Sequence, residues 1–531
     1  MQSNKMQVNK DFRIKLIVSP WFEDYEDFFS LPAPFLPYGI GVVTAYLRNN
    51  GCYVEQEDLA IKFNHYKYDC YSFAKHKLNL NIDKYKRYIH DYMYASSRDF
   101  HVEQELKLDL LIQKVLDSTV IDNFNLIGFS VSDLFQFIFT ILLSKKIKER
   151  ANIPIVLGGC FITLYGQLYS SVFKFIDYMI IGDGQVPLLK LIAHLEGRSS
   201  ISDIPNLVFN YKGKIMGNPF EFFSIEDMPV PDFDGLPVGL YKTSGFGKDI
   251  SLPYQITRGC TSRCSFCPHV NKYRKLDFKS YGKVLSELKE MKKRYNSNQF
   301  ILSDLAINNS YEYLNGLLDL IIKNRLNIIW NSYLKIDKHI DKRLLDKMKK
   351  AGCALLYLGI ESGSDRMLKM MNKGFTSEMA SKALRDISEF KIKTLVHLLV
   401  GYPYETQQDI NQTAEFIRKN KKYIYSAWVA KFLLLYGSII YNNADSYKIT
   451  NLISFPLRRH IFYFDELNGS TRNQIRKRSA DNYRVVSRSV YKYILLRPRM
   501  DILYNIISYL LNIVYFCLSG KLFLRKENDI F

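Results

Sequence analysis

The sequence predicts an α/β protein: a doubly wound, Rossmann-like sheet domain, then a partial (βα)6 barrel and a helical C-terminal appendage. Three observations predict this architecture. Apolar, β-branched strand candidates alternate with helical patterns in two separate stretches of the chain. In the first stretch, Gly128, Gly158 and Gly182 recur at the spacing of a βαβ unit. With 531 residues, the chain is also too long for a single hydrophobic core.

Domain boundaries follow from changes in this alternation. The first domain is predicted over residues 13–217, with 60–122 as a helical insertion, and its near-continuous apolar strands indicate a parallel sheet covered on both faces. The segment "EDMPVPDFDGLPVGLY" predicts a linker within 218–245. Residues 246–450 contain about six βα units, which suits a partial, TIM-barrel-like fold. The alternation then stops, so 451–531 is predicted to be helical.

The charge and cysteine content restrict the possible function classes. Lys and Arg number 73 against 53 Asp and Glu, which gives a net charge of +20. The basic residues are spread over most of the chain, so we expect no nucleic-acid partner. The N-terminus has no secretory signal, and the cysteines outside one cluster show no paired framework. We therefore expect a reduced, cytoplasmic protein.

The segment 502–520 is uncharged over its whole length and is flanked by basic residues. It barely reaches the length of a membrane span. Its polar residues fall on one helical stripe, which suits either a helix packed on the barrel or peripheral membrane contact. We expect packing on the barrel, with membrane association as the alternative.

The segment "TRGCTSRCSFCPH" carries the strongest chemical signal. Cys260, Cys264 and Cys267 have the spacing C-x3-C-x2-C and follow the first strand of the barrel, on the face where barrel chemistry is built. Three thiolates suit a cubane iron–sulfur cluster with one iron left open. A zinc ion would want a fourth ligand, for which His269 is available.

This motif, with Phe266 just before the last cysteine and a (βα)6 context, resembles the radical S-adenosylmethionine (SAM) superfamily. The resemblance implies a [4Fe–4S] cluster on the three cysteines, with the open iron chelating SAM. Electron transfer from the cluster would cleave SAM to a 5′-deoxyadenosyl radical that abstracts hydrogen from an unactivated C–H bond. An electron donor such as flavodoxin or ferredoxin is implied as a partner.

Other segments extend the resemblance. "LGIESGSDRMLKMMNKG" and "VGYPYET" resemble the fourth-strand segment and fifth-strand turn of the family, and "FILSDLAINN" resembles its second strand without the usual Gly-Gly-Glu. The implied SAM-binding residues are Phe266, Asp304, Glu361, Ser362, Gly401 and Pro403. His397 lies mid-strand; it is the candidate catalytic residue, as a proton donor to the substrate, with a core histidine as the alternative.

Small residues end consecutive strands of the first domain, where a doubly wound sheet binds its ligand. They are Ser130, Gly158, Gly159, Gly182, Asp183 and Gly184. In this order, before a radical SAM module, they resemble a cobalamin-binding domain. The hallmark Asp-x-His-x-x-Gly is missing, which implies cobalamin without a protein histidine on cobalt and favours methyl transfer. In the alternative, the domain has lost cobalamin and only shapes the site.

The sequence therefore predicts a cobalamin-dependent radical SAM enzyme that methylates an unactivated carbon of a small-molecule or peptide substrate. Radical cyclisation or rearrangement, with or without cobalamin, stays open. So do a tRNA methylthiotransferase-like enzyme and a zinc-bearing RNA-binding protein. The uneven spread of Cys52, Cys70 and Cys160 is not the second cysteine cluster that a methylthiotransferase carries.

Overall fold

Two parallel sheets follow one another along the chain, and a small antiparallel sheet comes after them. The computed structural model describes residues 11–20, 35–64, 106–241, 250–271, 275–454 and 458–495. The predicted helical segment 502–520 and most of the predicted insertion lie outside these residues.

The first sheet has the doubly wound topology that the sequence predicts. Its strands in the described residues are β1 (Arg13–Val18), β2 (Tyr53–Asp58), β3 (Leu126–Ser130), β4 (Ile155–Gly158), β5 (Tyr178–Ile180), β6 (Leu207–Tyr211) and β7 (Lys214–Gly217). The spatial order is β2-β1-β3-β4-β5-β6-β7, parallel as far as β5 and antiparallel beyond it. The order reverses between β1 and β3, which creates a switch point at the carboxyl ends of these strands.

Helices cover both faces of this sheet. They are α1 (Tyr38–Asn49), α2 (Leu59–Asn64), α3 (Leu106–Asp117), α4 (Leu134–Arg150), α5 (Cys160–Tyr165) and α6 (Gln185–Leu195). Neighbouring side chains on β1 enter different cores: Leu16 packs with α1 and α6, whereas Ile17 packs with α4 and α5. The described parts of the segment predicted as an insertion contain the helices α2 and α3.

The second sheet forms the partial barrel. Its region contains β8 (Ser251–Tyr254), β9 (Thr257–Arg258), β10 (Asp277–Phe278), β11 (Gln299–Leu302), β12 (Ile329–Leu334), β13 (Cys353–Glu361), β14 (Lys393–Val400) and β15 (Ser426–Lys431). Within the described ranges, β8 and β11 to β15 pair in parallel in chain order, which confirms the six-unit open barrel. The short strands β9 and β10 pair antiparallel beside the cysteine loop.

Six helices of the described region accompany these strands. They are α7 (Tyr281–Arg294), α8 (Tyr311–Lys323), α9 (Lys342–Lys350), α10 (Asp365–Met370), α11 (Ser377–Glu389) and α12 (Gln407–Asn420). Alternate strand residues such as Leu358, Val396 and Leu398 share one core with Leu317, Leu345 and other helix residues. The opposite face of the strands, which turns away from these helices, is the barrel interior.

The C-terminal region is helical only in part. Strands β16 (Leu434–Leu435), β17 (Ile449–Ser454) and β18 (Ile461–Glu466) form the small antiparallel sheet, with α13 (Ile439–Asn442) between the first two. The long helix α14 (Arg472–Val490) follows and packs against α12 and β15. Two six-residue strands thus precede the helix, and strands this short are hard to tell from helical segments by periodicity. No helix in the described part of the chain is long and apolar enough to span a membrane.

Candidate active site

A cavity of about 350 Å³ lies where the first domain meets the barrel. The residues predicted for cobalamin all line it: Ser130, Gly158, Gly159, Gly182, Asp183 and Gly184. The opposite wall includes Arg258, Gly259 and His269, which flank or border the cysteine loop. The fold therefore brings the strand ends of one domain and the cysteine loop of the other to a single space.

Gly158 and Gly159 are glycines for different physical reasons. At Gly158, an added Cβ would meet no described atom within 4 Å, so its backbone is open to the cavity. Gly159 has φ 101° and an added Cβ would collide with the backbone of Val131, so the turn itself requires glycine there. Gly158 is thus the position where a cradle for a bulky ligand depends on the missing side chain.

Asp183 connects the two domains. Its carboxylate accepts a hydrogen bond from the Arg258 guanidinium at 2.5 Å, and Arg258 also donates to the carbonyl oxygen of Phe223 at 3.1 Å. Burial raises the pKa of Asp183, although Arg258 opposes the shift. The pair ties the loop after β5 to the strand that leads into the cysteine loop.

The cysteine loop is held in place by backbone hydrogen bonds from both sides. Asn309 accepts from the Thr261 N–H at 3.1 Å and donates to the Gly259 carbonyl at 3.0 Å. On the other side, Ser265 donates its N–H to the Met371 carbonyl at 3.0 Å. Asn309 belongs to "FILSDLAINN", the segment in which the sequence argument selected only Asp304.

The residues of this loop fit an iron–sulfur cluster. Cys260, Cys264 and Cys267 are reduced, half-buried thiols on one loop, and clusters bind one cysteine per iron corner. Among the described residues, no three His, Cys, Asp or Glu side chains converge as ligands of a single metal ion.

A lysine that the sequence argument missed lies against the loop. Lys373 Nζ is 3.3 Å from Glu361 Oε1 and 5.6 Å from the centre of the Phe266 ring. Burial lowers the pKa of Lys373, but Glu361 and Cys264 outweigh burial and raise it overall. The same burial raises the pKa of Cys264, with Lys373 opposing. The sequence did contain a signal for Lys373, because this lysine lies in "MMNKG", at the end of the segment that resembles the fourth strand of the family.

Glu361 is held in a strained backbone conformation. Its φ is 70°, in the left-handed region that non-glycine residues rarely adopt, and the pairing of β13 with β14 shifts register between Gly359 and Glu361. The carboxylate lies over Gly359, where an added Cβ would come within 2.7 Å of Oε1. Strain of this kind is often retained at functional sites. Glu361 and Phe266 both lie near Lys373, and their contact with SAM stays a prediction.

Other predicted SAM residues are placed deeper. Asp304 is 1% exposed, and its Oδ1 accepts from the Ile256 N–H at 3.2 Å and the Thr257 hydroxyl at 2.8 Å. Burial raises its pKa to about 6. Ser362 is buried and shares a hydrogen bond with Thr413 at 3.1 Å. Both side chains hold backbone and helix in place around the site, and their contact with SAM stays a prediction.

The predicted adenine turn is covered by the C-terminal helix. Gly401 and Pro403 are buried, and the Gly401 N–H donates to Glu405 Oε2 at 2.6 Å. An added Cβ on Gly401 would overlap Ser479 of α14. This contact explains why residue 401 is a glycine. A role of Gly401 or Pro403 in binding adenine stays a prediction.

His397 lies in a row of rings across the barrel interior. We call Tyr333, Tyr357, His397 and Trp428 the aromatic row; the His397 ring is 5.8 Å from Tyr333 and 5.6 Å from Trp428. Burial lowers the pKa of His397, so its neutral form is favoured. Its Nε2 has no hydrogen-bond partner in the described structure. The side chain thus faces the interior of the barrel.

Comparison with known proteins assigns the barrel. Residues 254–417 match the family described as the radical SAM superfamily. The chain therefore contains a radical SAM domain, which implies a [4Fe–4S] cluster and SAM as cofactors.

Relatives and solved structures extend the comparison beyond this domain. An uncharacterized methyltransferase, PH0819, of Pyrococcus horikoshii is 26% identical over 52% of this chain and 60% of its own. The anaerobic magnesium-protoporphyrin IX monomethyl ester cyclase of Rubrivivax gelatinosus is 26% identical over 52% of this chain and 51% of its own. The matches thus span little more than half of these relatives.

The structural likeness covers both domains. The radical SAM methyltransferase TsrM from Kitasatospora setae, solved with cobalamin and a [4Fe–4S] cluster, superposes with a TM-score of 0.57 over 81% of this chain and 77% of its own. The sequence identity is 17%, so this likeness establishes a shared fold.

Proposed function

We propose that this protein is a cobalamin-dependent radical SAM enzyme that methylates an unactivated carbon of a small-molecule or peptide substrate. One observation carries the proposal: the cavity at the strand ends of the first domain shares a wall with the cysteine loop, through Arg258, Gly259 and His269. A methyl carrier and a radical source must act on the same substrate atom, so they need adjoining sites.

The chain's own residues have defined tasks in this proposal. Cys260, Cys264 and Cys267 hold the cluster, and the Glu361–Lys373 pair borders the position of SAM beside Cys264. Gly158 leaves backbone accessible to the corrin ring. When bound, the cluster supplies the electron that cleaves SAM to a hydrogen-abstracting radical, and cobalamin carries the methyl group. The protein positions these groups and excludes water.

The relatives support methylation and, as a second candidate reaction, radical cyclisation. A curated relative is named as a methyltransferase, and TsrM, solved with cobalamin and a [4Fe–4S] cluster, shares its fold over 81% of this chain. The matched cyclase favours radical cyclisation as the second candidate. Product mass separates the two, because methylation adds one CH2 to the substrate. A flavodoxin or ferredoxin would supply the electrons.

The cluster assignment is tested by replacing each cysteine of the loop. We expect Cys260→Ala, Cys264→Ala and Cys267→Ala to lose iron, sulfide and SAM cleavage after anaerobic reconstitution, since each thiolate binds one iron. Cys160→Ala, which changes a cysteine outside the loop, should keep full iron content. Full cleavage of SAM by any of the three loop variants would refute the assignment, and so would zinc bound without sulfide.

The cobalamin site is tested at Gly158. We expect Gly158→Val to weaken cobalamin binding about tenfold or more, because the new side chain projects into open space on the cavity wall. Bound cobalamin is measured by visible absorption after equilibrium dialysis. Gly239→Val is the matched control, as Gly239 also has no described atom within 4 Å of an added Cβ but lies outside the cavity. If the unaltered chain binds no cobalamin, the first domain only shapes the site.

A further inference from the structure

The aromatic row takes one side chain from each of four neighbouring barrel strands. Tyr333, Tyr357, His397 and Trp428 lie on β12, β13, β14 and β15, and strand pairing aligns Tyr333 with Tyr357 and His397 with Trp428. The next residue of each strand is buried: Leu334, Leu358, Leu398 and Val429. The row is therefore on the face of the sheet that turns away from the helices.

The rings are close enough to act as one surface. The centres of Tyr333 and Tyr357 are 5.0 Å apart with 31° between the ring planes, and Tyr357 is 6.3 Å from His397. Gly359 is the pairing partner of His397 on β13, so no side chain separates this histidine from the tyrosines. These spacings are those of interacting aromatic pairs.

The row is accessible although it is largely apolar. Tyr333 is 44% exposed and Trp428 is 48% exposed. Large neighbouring rings that stay exposed are typical of ligand-binding surfaces.

Two polar atoms beside the row have no hydrogen-bond partner in the described structure. One is His397 Nε2, and the other is Oδ1 of Asn331, which is 6% exposed and precedes Tyr333 by two residues on the same strand face. Buried polar atoms are normally paired, because an unpaired one loses its bonds to water without compensation. Both atoms are shielded from solvent, so a ligand on the exposed rings does not reach them in this arrangement of the side chains.

The row is also next to the predicted centre of chemistry. Glu361 Oε1 lies over Gly359, the strand partner of His397, and Lys373 Nζ is 3.3 Å from this oxygen. Lys373 Nζ is also 5.6 Å from the centre of the Phe266 ring, next to Cys267 in the cysteine loop. The Glu361 carboxylate is close enough to influence both Tyr333 and His397 electrostatically. A molecule held on the row therefore lies near the cysteine loop.

We propose that the aromatic row binds the substrate and that the substrate carries a flat, conjugated ring system. This rests on the proposed function, in which the cysteine loop and SAM act at this end of the barrel. A planar ring stacks on the exposed faces of Tyr333 and Trp428. A saturated or purely aliphatic substrate would bury the same area without stacking.

The test compares a flat probe with its saturated counterpart. The probes are naphthalene-2-carboxamide and decahydronaphthalene-2-carboxamide, and their dissociation constants for the reconstituted full chain are measured by equilibrium dialysis. We expect the flat probe to bind about threefold to tenfold more tightly than the saturated one. Tyr357→Leu and Trp428→Leu should each remove most of this preference, whereas Tyr211→Leu, at an exposed aromatic far from the row in sequence, should leave it unchanged.

A second measurement asks whether the row is open in the full chain. In a Trp21→Phe background, the remaining tryptophans are the buried Trp330 and the exposed Trp428. Acrylamide should quench the fluorescence of Trp428, and the flat probe should protect it. Shielding of Trp428 before any probe is added would mean that another part of the chain occupies the row, and would overturn the proposal.

The two proposals fail in distinguishable ways. Equal affinity for both probes, in a chain that still cleaves SAM, would overturn the substrate class and leave the proposed function standing. A preference for the flat probe in a chain that assembles no cluster would retain the binding surface and overturn the proposed function.

Discussion

Three carboxylates, of which Asp304 and Glu405 are buried and Asp183 is partly buried, hold the backbone around the candidate active site. Asp183 binds Arg258 across the domain junction, Asp304 accepts from the backbone before the cysteine loop, and Glu405 accepts from the Gly401 N–H. Each has a pKa raised by burial. At the scale of single residues, a carboxylate predicted from a motif can hold the backbone of the site in place without contacting the ligand.

Glu405 gives a pH-dependent prediction. Burial raises its pKa from 4.5 to about 7, with Gly401 and Asn482 opposing as hydrogen-bond donors. The folded state thus favours the protonated form, so this stabilisation is complete below about pH 4.5 and is lost as the pH rises through about 7. At pH 8, Glu405→Gln should be more stable than the unaltered chain by about 3 kcal/mol, and at pH 4 the difference should vanish.

Urea denaturation at several pH values measures this difference in unfolding free energy. Glu312→Gln, at an exposed carboxylate on α8, is the control and should show no such pH-dependent gain. A Glu405→Gln variant whose relative stability is the same at both pH values would contradict the burial of a protonated carboxyl at this position.

At the scale of elements, the long helix α14 belongs to the barrel. It packs against α12 and β15, and Ser479 meets the glycine turn after β14 so closely that a side chain at Gly401 would overlap it. Asn482 on the same helix donates to Glu405 at 2.8 Å. The helix therefore helps to shape the turn predicted for adenine, although no motif in the sequence connects the two.

Gly401→Ala tests this packing. Gly401 has φ 83°, so alanine adds backbone strain and also collides with Ser479; the expected loss is about 3 kcal/mol of unfolding free energy. Gly374→Ala is the matched control, with φ 74° and no described atom within 4 Å of an added Cβ, and should lose about 1 kcal/mol. Adding Ser479→Gly should recover most of the excess. Equal losses at both glycines would show that α14 does not contact this turn.

At the scale of the whole molecule, the two domains are joined at the site itself. The Asp183–Arg258 pair is largely buried, with side chains 23% and 7% exposed, and the cavity takes its walls from both domains. A change in the relative position of the domains would therefore open both the pair and the cavity.

A double-mutant cycle measures this connection. Asp183→Asn leaves the Arg258 cation buried without its carboxylate, and we expect a loss of about 3 kcal/mol in unfolding free energy. Arg258→Met should cost a similar amount, and the double variant should lose clearly less than the sum. The exposed Glu415–Arg418 pair is the control, because solvent should leave it without measurable coupling. Additive losses at Asp183 and Arg258 would mean that the pair does not join the domains.

The sequence by itself determined the class of each domain and the location of its chemistry. Apolar strands alternating with helices predicted both sheets, since periodicity is a local property that follows from the geometry of helix and strand. The cysteine spacing and the glycines at the strand ends were likewise local signals. The fold brings those glycines and residues that flank the cysteine loop to one cavity. The residues Cys260, Cys264 and Cys267 needed no tertiary information to be chosen.

Only the tertiary structure decided which distant residues meet. Lys373 lies over the Phe266 ring, Ser479 covers Gly401, and the aromatic row forms because four strands align in register. The same structure shows that Asp304 faces backbone and that strands precede α14. Such contacts depend on strand register and on how helices pack, and these are set by the summed packing of the whole core, which a short stretch of sequence does not contain.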